Sequence, residues 1–222
     1  MKRFARVLAL GLLGSLAAAA AVGAATASDE ERLRGRLAPE VAQQVLAIVA
    51  SARQAGLPGD PLVARALEGA SRRADAADIV ADVRRQAAAL ASARDALAPN
   101  ATSGEIVAGA GALLAGVPAD TLATLRQAHP SGSLVIPIVV LCDFVARGVP
   151  VAAASSAVLT ATRVGASDAA LMRLRERIHE RIGHGSPPAG ATQDVLRQWL
   201  RRDPRVDAPA PQARTKGERR TP

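Results

Sequence analysis

Aromatic residues make up about 1% of this 222-residue chain: Phe4, Phe144 and Trp199, with no Tyr. A core without rings has to come from Ala, Leu, Val and Ile, and such packing leaves little room for a large ligand pocket. Stacking platforms for single-stranded nucleic acid are excluded for the same reason. Cysteine occurs once, at Cys142, so no internal disulfide can form. Cys142 lies in the apolar stretch 139–145, where a lone cysteine behaves as a small hydrophobe. Lysine is confined to Lys2 and Lys216, and the positive charge is carried by arginine. No phosphate-binding Gly-Lys loop or dinucleotide fingerprint is present, and no Gly-x-Ser-x-Gly elbow surrounds Ser155, Ser156, Thr160 or Thr162. Gly109 and Gly111, with Gly116 five positions on, follow no strand and imply no cofactor.

What is present begins with a leader pattern. Lys2, Arg3 and Arg6 precede an apolar, Ala-rich run over 7–22, and Ala25-Thr26-Ala27 fits the small-x-small cleavage rule. Residues 1–27 are therefore expected to be a secretory signal peptide; the alternative is an uncleaved anchor. No Cys follows the run, so no lipid anchor is expected. The mature chain would be periplasmic or extracellular, with membrane contact only through the leader.

The formal charge of +8 falls to +5 without the leader's three cations. Residues 203–222 carry five basic and three acidic groups, leaving a span of 28–202 near +3. That weak surplus, with export, argues against a nucleic-acid partner. The Arg, Ala and Gly bias matches coding in a GC-rich bacterial genome. The Pro- and Arg-rich segment 203–222 has no apolar periodicity and is expected to be disordered. It is suited to weak, salt-sensitive contact with anionic envelope material.

Between these ends the chain is punctuated by Gly-apolar-Pro or Gly-Ala-Ser triplets. They begin at Gly56, Gly69, Gly116, Gly148 and Gly165. Gly at the position after a helix reaches the left-handed conformation without steric cost; the next apolar residue packs back, and Pro or Ser starts the following helix. The five glycines are read as helix stops. The flanking periodicity is helical: Val41, Val45, Ile48 and Val49; Ile79, Val83, Ala87, Leu90 and Leu97; Leu171, Leu174, Ile178 and Ile182. Thr102 and Glu105 form a capping box; Asp60 and Pro61 are expected to start a short helix as N-cap and first helical residue, and Thr192 to cap a last helix, with 184–190 as a loop. Residues 134–141 could form a buried strand, but Pro137 disfavours one and a helix is expected. The fold class is all-α, either an irregular bundle or an array of helical hairpins. A weak repeat of 32 residues, Glu105 to Pro137 and Gly116 to Gly148, is compatible with the array.

The stretch most like a catalytic or metal site offers Glu176, His179, Glu180 and His184. His179 and His184 are about 140° apart around a helix and cannot share a metal. Glu180 and His184 are four apart and can, yet lack a third ligand. The plainer reading is a solvated, charge-interleaved face. Asp143 has Arg147 four residues later as an intrahelical partner. The sequence thus points to an exported, non-enzymatic helical protein that binds or scaffolds an unidentified protein or envelope component. Two alternatives remain: attachment through the cationic tail, and a metal-binding or hydrolytic site on the Glu176-Glu180-His184 face.

Overall fold

A computed structural model describes residues 28–202. The expected signal peptide and the tail 203–222 both lie outside the described residues. The described chain is all-α. After helical residues 28–33, the helices are α1 (Pro39–Gln54), α2 (Asp60–Ser71), α3 (Ala76–Ala96), α4 (Ser103–Leu114), α5 (Ala119–Ala128), α6 (Val135–Ala146), α7 (Val151–Arg163), α8 (Asp168–Gly183) and α9 (Pro188–Arg201). The stretch at 134–141 is helical from Val135, with Pro137 in the first turn where no donor is needed. No described helix is long and apolar enough to cross a membrane.

Helix packing divides the chain at Leu114/Ala115 into two compact units, where the sequence alone groups 28–202 together. In the first, α3 packs against α1, α2 and α4, and α1 also packs against α2. Its core is aliphatic, built on Leu33, Val45, Leu62, Val63, Val83 and Leu90. In the second, α6 packs on α7 and α8, while α9 packs on the same two helices; α5 packs on α7. Phe144 and Trp199 are both buried in this unit.

Local chemistry sets most helix boundaries. The Thr102 N–H donates to Glu105 Oε2 at 2.8 Å and the Glu105 N–H to Thr102 Oγ1 at 3.3 Å, the reciprocal pairing of a capping box. Ser167 Oγ accepts from the Ala170 N–H at 3.2 Å and caps α8. Gly148 sits at φ 81° after α6; its N–H donates to the Val145 carbonyl, and the Val149 N–H to that of Phe144. Val149 is buried, closing the last turn. Gly56, Gly116 and Gly165 also have positive φ.

Three expectations need correction. Gly69 is not a stop. Helix α2 runs through it to Ser71, and a Cβ there would lie 2.9 Å from Ile79 Cγ1, so Gly69 provides space for the α2–α3 approach. The stop is Arg73, at φ 57°, with its N–H on the Ala70 carbonyl and the Ala74 N–H on that of Gly69. A left-handed conformation costs a side-chain-bearing residue about 1–2 kcal/mol. R73G is therefore expected to stabilise the protein by about 0.5–1 kcal/mol, after the entropy glycine adds to the unfolded chain. A raised urea midpoint at unchanged slope checks this. Secondly, Thr192 does not open a helix. Helix α9 already starts at Pro188 behind Pro187, because proline is suited to a first turn, and Thr192 Oγ donates back to the Pro188 carbonyl at 2.8 Å. The expected loop 184–190 is shortened to match. Thirdly, Asp60 is the first residue of α2, and Gly59 occupies the cap.

Candidate functional site

Helix α8 carries Glu176, His179 and Glu180, and His184 follows directly at its C-terminal cap. Leu171, Leu174 and Ile178 are buried, which turns Glu176 and Glu180 to solvent. His184 caps the helix, its backbone N–H on the Glu180 carbonyl at 2.9 Å. Both Glu180 and His184 are exposed. No group of three His, Cys, Asp or Glu side chains able to hold a metal occurs among the described residues. Glu180 and His184 thus gain no third ligand there.

His179 does something different. It turns inward, its side chain 8% exposed, and places Nε2 2.8 Å from Asp143 Oδ2 on α6. Arg175 lies four residues earlier on the same face of α8 and brings Nε to 3.0 Å from the same oxygen. Arg147, the partner expected for Asp143, is more distant, with Nε 3.8 Å from Oδ1. Glu176 pairs with the outer edge of the Arg175 guanidinium at 3.1 Å. The contacts at Oδ2 are close but poorly aligned for hydrogen bonding, so the attraction is mainly coulombic. The Phe144 ring meets the His179 imidazole edge-on, with centroids 6.2 Å apart at 81°. The sequence signal for this cluster was the spacing of Arg175 and His179, which sets both on one helix face. That α6 supplies the opposing carboxylate needs the tertiary packing.

Burial lowers the His179 pKa from its usual value. The Asp143 carboxylate opposes that effect, Arg147 and Arg175 reinforce it, and Glu176 opposes it. A histidine harder to protonate when folded makes the unfolded chain bind more protons. Its contribution to stability is complete above the unfolded pKa, about 6.5, and is lost as pH falls from there through the folded value. Acidification from pH 7 to 5 is expected to lower the unfolding midpoint, and H179Q to flatten that slope. Urea titrations at a series of pH values measure both.

A His–Asp pair can act as a general base only where a substrate proton comes within reach. Here the contacting atoms of Asp143, Arg175 and His179 are shut off from solvent. The neighbouring thiol, Cys142, is half-buried, and that burial pushes its pKa up, away from a reactive thiolate. The cluster acts as a tie between α6 and α8.

A separate concavity lies in the first unit. A groove of about 440 Å³ runs between α1 and α3, with Leu57 at one end. Its apolar surface comes from Ala47, Ile48, Ala52, Ala55 and Ala87, and its polar groups from Gln44, Ser51 and Arg84. Small side chains on adjoining helix turns make it shallow enough for another backbone to approach. No family model matches the chain, and neither a curated protein nor a solved structure matches it significantly.

Proposed function

We propose that this chain is an exported, non-enzymatic helical protein of the bacterial envelope. Its partner is another protein, which lays an amphipathic helix carrying an acidic residue into the α1–α3 groove. The leader pattern of residues 1–27 supports export. The groove is the observation that carries partner binding. Its alanine-lined wall suits an apolar helix face, the common mode of helix-in-groove recognition. Arg84 is exposed at its edge and has no carboxylate at ion-pair distance among the described residues, so an acidic residue on the incoming helix would supply the missing charge.

A photo-crosslinking amino acid at Ala47, an exposed wall position, tests this in the bacterial host, with Ala88 as an exposed position outside the groove. The expected result is a discrete adduct from position 47 and none from 88, lost with R84E, whose crosslinked peptide is amphipathic and acidic. A lipid adduct, or equal labelling from both positions, would overturn the protein-partner reading. Export is checked separately by N-terminal sequencing of the envelope fraction, with Ser28 as the expected first residue.

A further inference from the structure

Helices α8 and α9 pack together and leave a cleft of about 170 Å³ between Arg177, Arg181, Val195, Gln198 and Arg202. At about 30 Å³ per water, it has room for roughly five or six waters, or one phosphate group with part of its ester. Arg177 and Arg181 are four residues apart, so their guanidinium groups leave the same face of α8. Arg202 reaches the cleft from the end of α9, Gln198 adds an amide one turn before it, and buried Val195 forms the apolar wall.

Among the described residues the charges here are unbalanced. Elsewhere among the described residues Arg53, Arg65, Arg175 and Arg197 each pair with a carboxylate. None lies at ion-pair distance from Arg177, Arg181 or Arg202 among the described residues, although Glu176 and Glu180 belong to the same helix. Three guanidinium groups converging on one space repel one another, and a bound anion reverses the sign of that interaction. Guanidinium remains charged at every physiological pH and presents paired donors that match phosphate oxygens.

We infer that the cleft between α8 and α9 is a phosphate-binding site, with Arg177, Arg181 and Arg202 as its cationic wall and Gln198 as a neutral donor. It is independent of the groove between α1 and α3, and either reading can fail without the other. Two sources share the chemistry: a soluble phosphorylated compound, and the head group of an anionic phospholipid. The chain beyond Arg202 carries five basic residues against Asp203, Asp207 and Glu218, and this surplus of two positive charges would add only modestly to attraction toward an anionic surface.

Inorganic phosphate titrated into the full chain, followed by calorimetry, gives the first measurement. Saturable binding is expected, weakened about tenfold or more in R177Q/R181Q/R202Q and unchanged in R84Q. Helical circular dichroism checks that the triple variant is folded, and R181E, at an exposed position, provides a second variant with the same expected loss. Co-sedimentation with phosphatidylglycerol vesicles, against phosphatidylcholine vesicles, separates the sources. Loss of sedimentation in the triple variant assigns the site to a lipid head group, and unaltered sedimentation beside lost phosphate binding assigns it to a soluble ligand. Absence of saturable phosphate binding, or equal affinity in parent and triple variant, overturns the inference.

Discussion

F144A is expected to cost about 3–5 kcal/mol of stability, the usual range for truncating a buried aromatic to alanine. Phe144 is fully buried on α6, the helix that packs against both α7 and α8. Two aromatics serve the described residues, and both stand in the second unit, so the loss of either removes an unusually large share of its apolar surface. F144L, which keeps most of the volume, is expected to cost about 1 kcal/mol. The same ring also shields the imidazole of His179. Its removal should admit water beside that group and weaken the burial that lowers its pKa, so His179 should titrate closer to its ordinary value in F144A. Urea unfolding at pH 7.5 gives the first quantity, and the His179 ring proton followed by NMR against pH gives the second. A loss below about 1.5 kcal/mol would mean that the neighbouring helices collapse into the space, contrary to the close packing assumed here.

The all-helical class was legible because its signals are local. Pro137 excludes a central strand within a few residues of itself, and Thr102 and Glu105 carry a capping box within one turn. The apolar stripe Val41, Val45 and Val49 needs only the helical period to predict its burial. The failures share the opposite property. Gly69 carries the same local pattern as a stop, but its role is set by Ile79 on another helix, while Arg73 takes the turn without a glycine to announce it. Thr192 has good capping chemistry and loses to two prolines upstream. Asp143 has a suitable partner on its own helix, yet its nearest contacts come from α8, 32 and 36 residues away. The groove and the arginine cleft are likewise products of which helices pack together, and no spacing within one helix contains that information.

The second large effect concerns a cluster that sequence reading did not single out. Asp29 is the second residue after the proposed cleavage point, and its side chain is only 3% exposed. Arg53, at the end of α1, places Nη1 2.6 Å from Asp29 Oδ2 and Nη2 3.9 Å from Asp60 Oδ1. Arg32 lies 3.5 Å from Asp29 and 3.6 Å from Asp60, but is half-exposed. Gly59 makes room for the clasp, since a Cβ there would stand 2.5 Å from Arg53 Nε. The two ends of this pair are unequal. In R53L the Asp29 carboxylate stays buried with only Arg32 near it, and removal of one partner from a buried pair costs about 3–5 kcal/mol. Arg53 is about one-fifth exposed, so the screened loss here should be about 2–4 kcal/mol. D29A should cost less, about 1–2 kcal/mol, because Arg53 can turn toward Asp60 and solvent without leaving a buried charge. D29A/R53L should then be more stable than R53L alone, and that inequality separates an uncompensated buried charge from simple loss of packing by the arginine stem. Urea midpoints of the three variants decide it. If the double variant is the least stable and the single losses simply add, the two side chains are not coupled, and the start of the described chain is held to α1 by its apolar contacts, with Leu33 foremost among them.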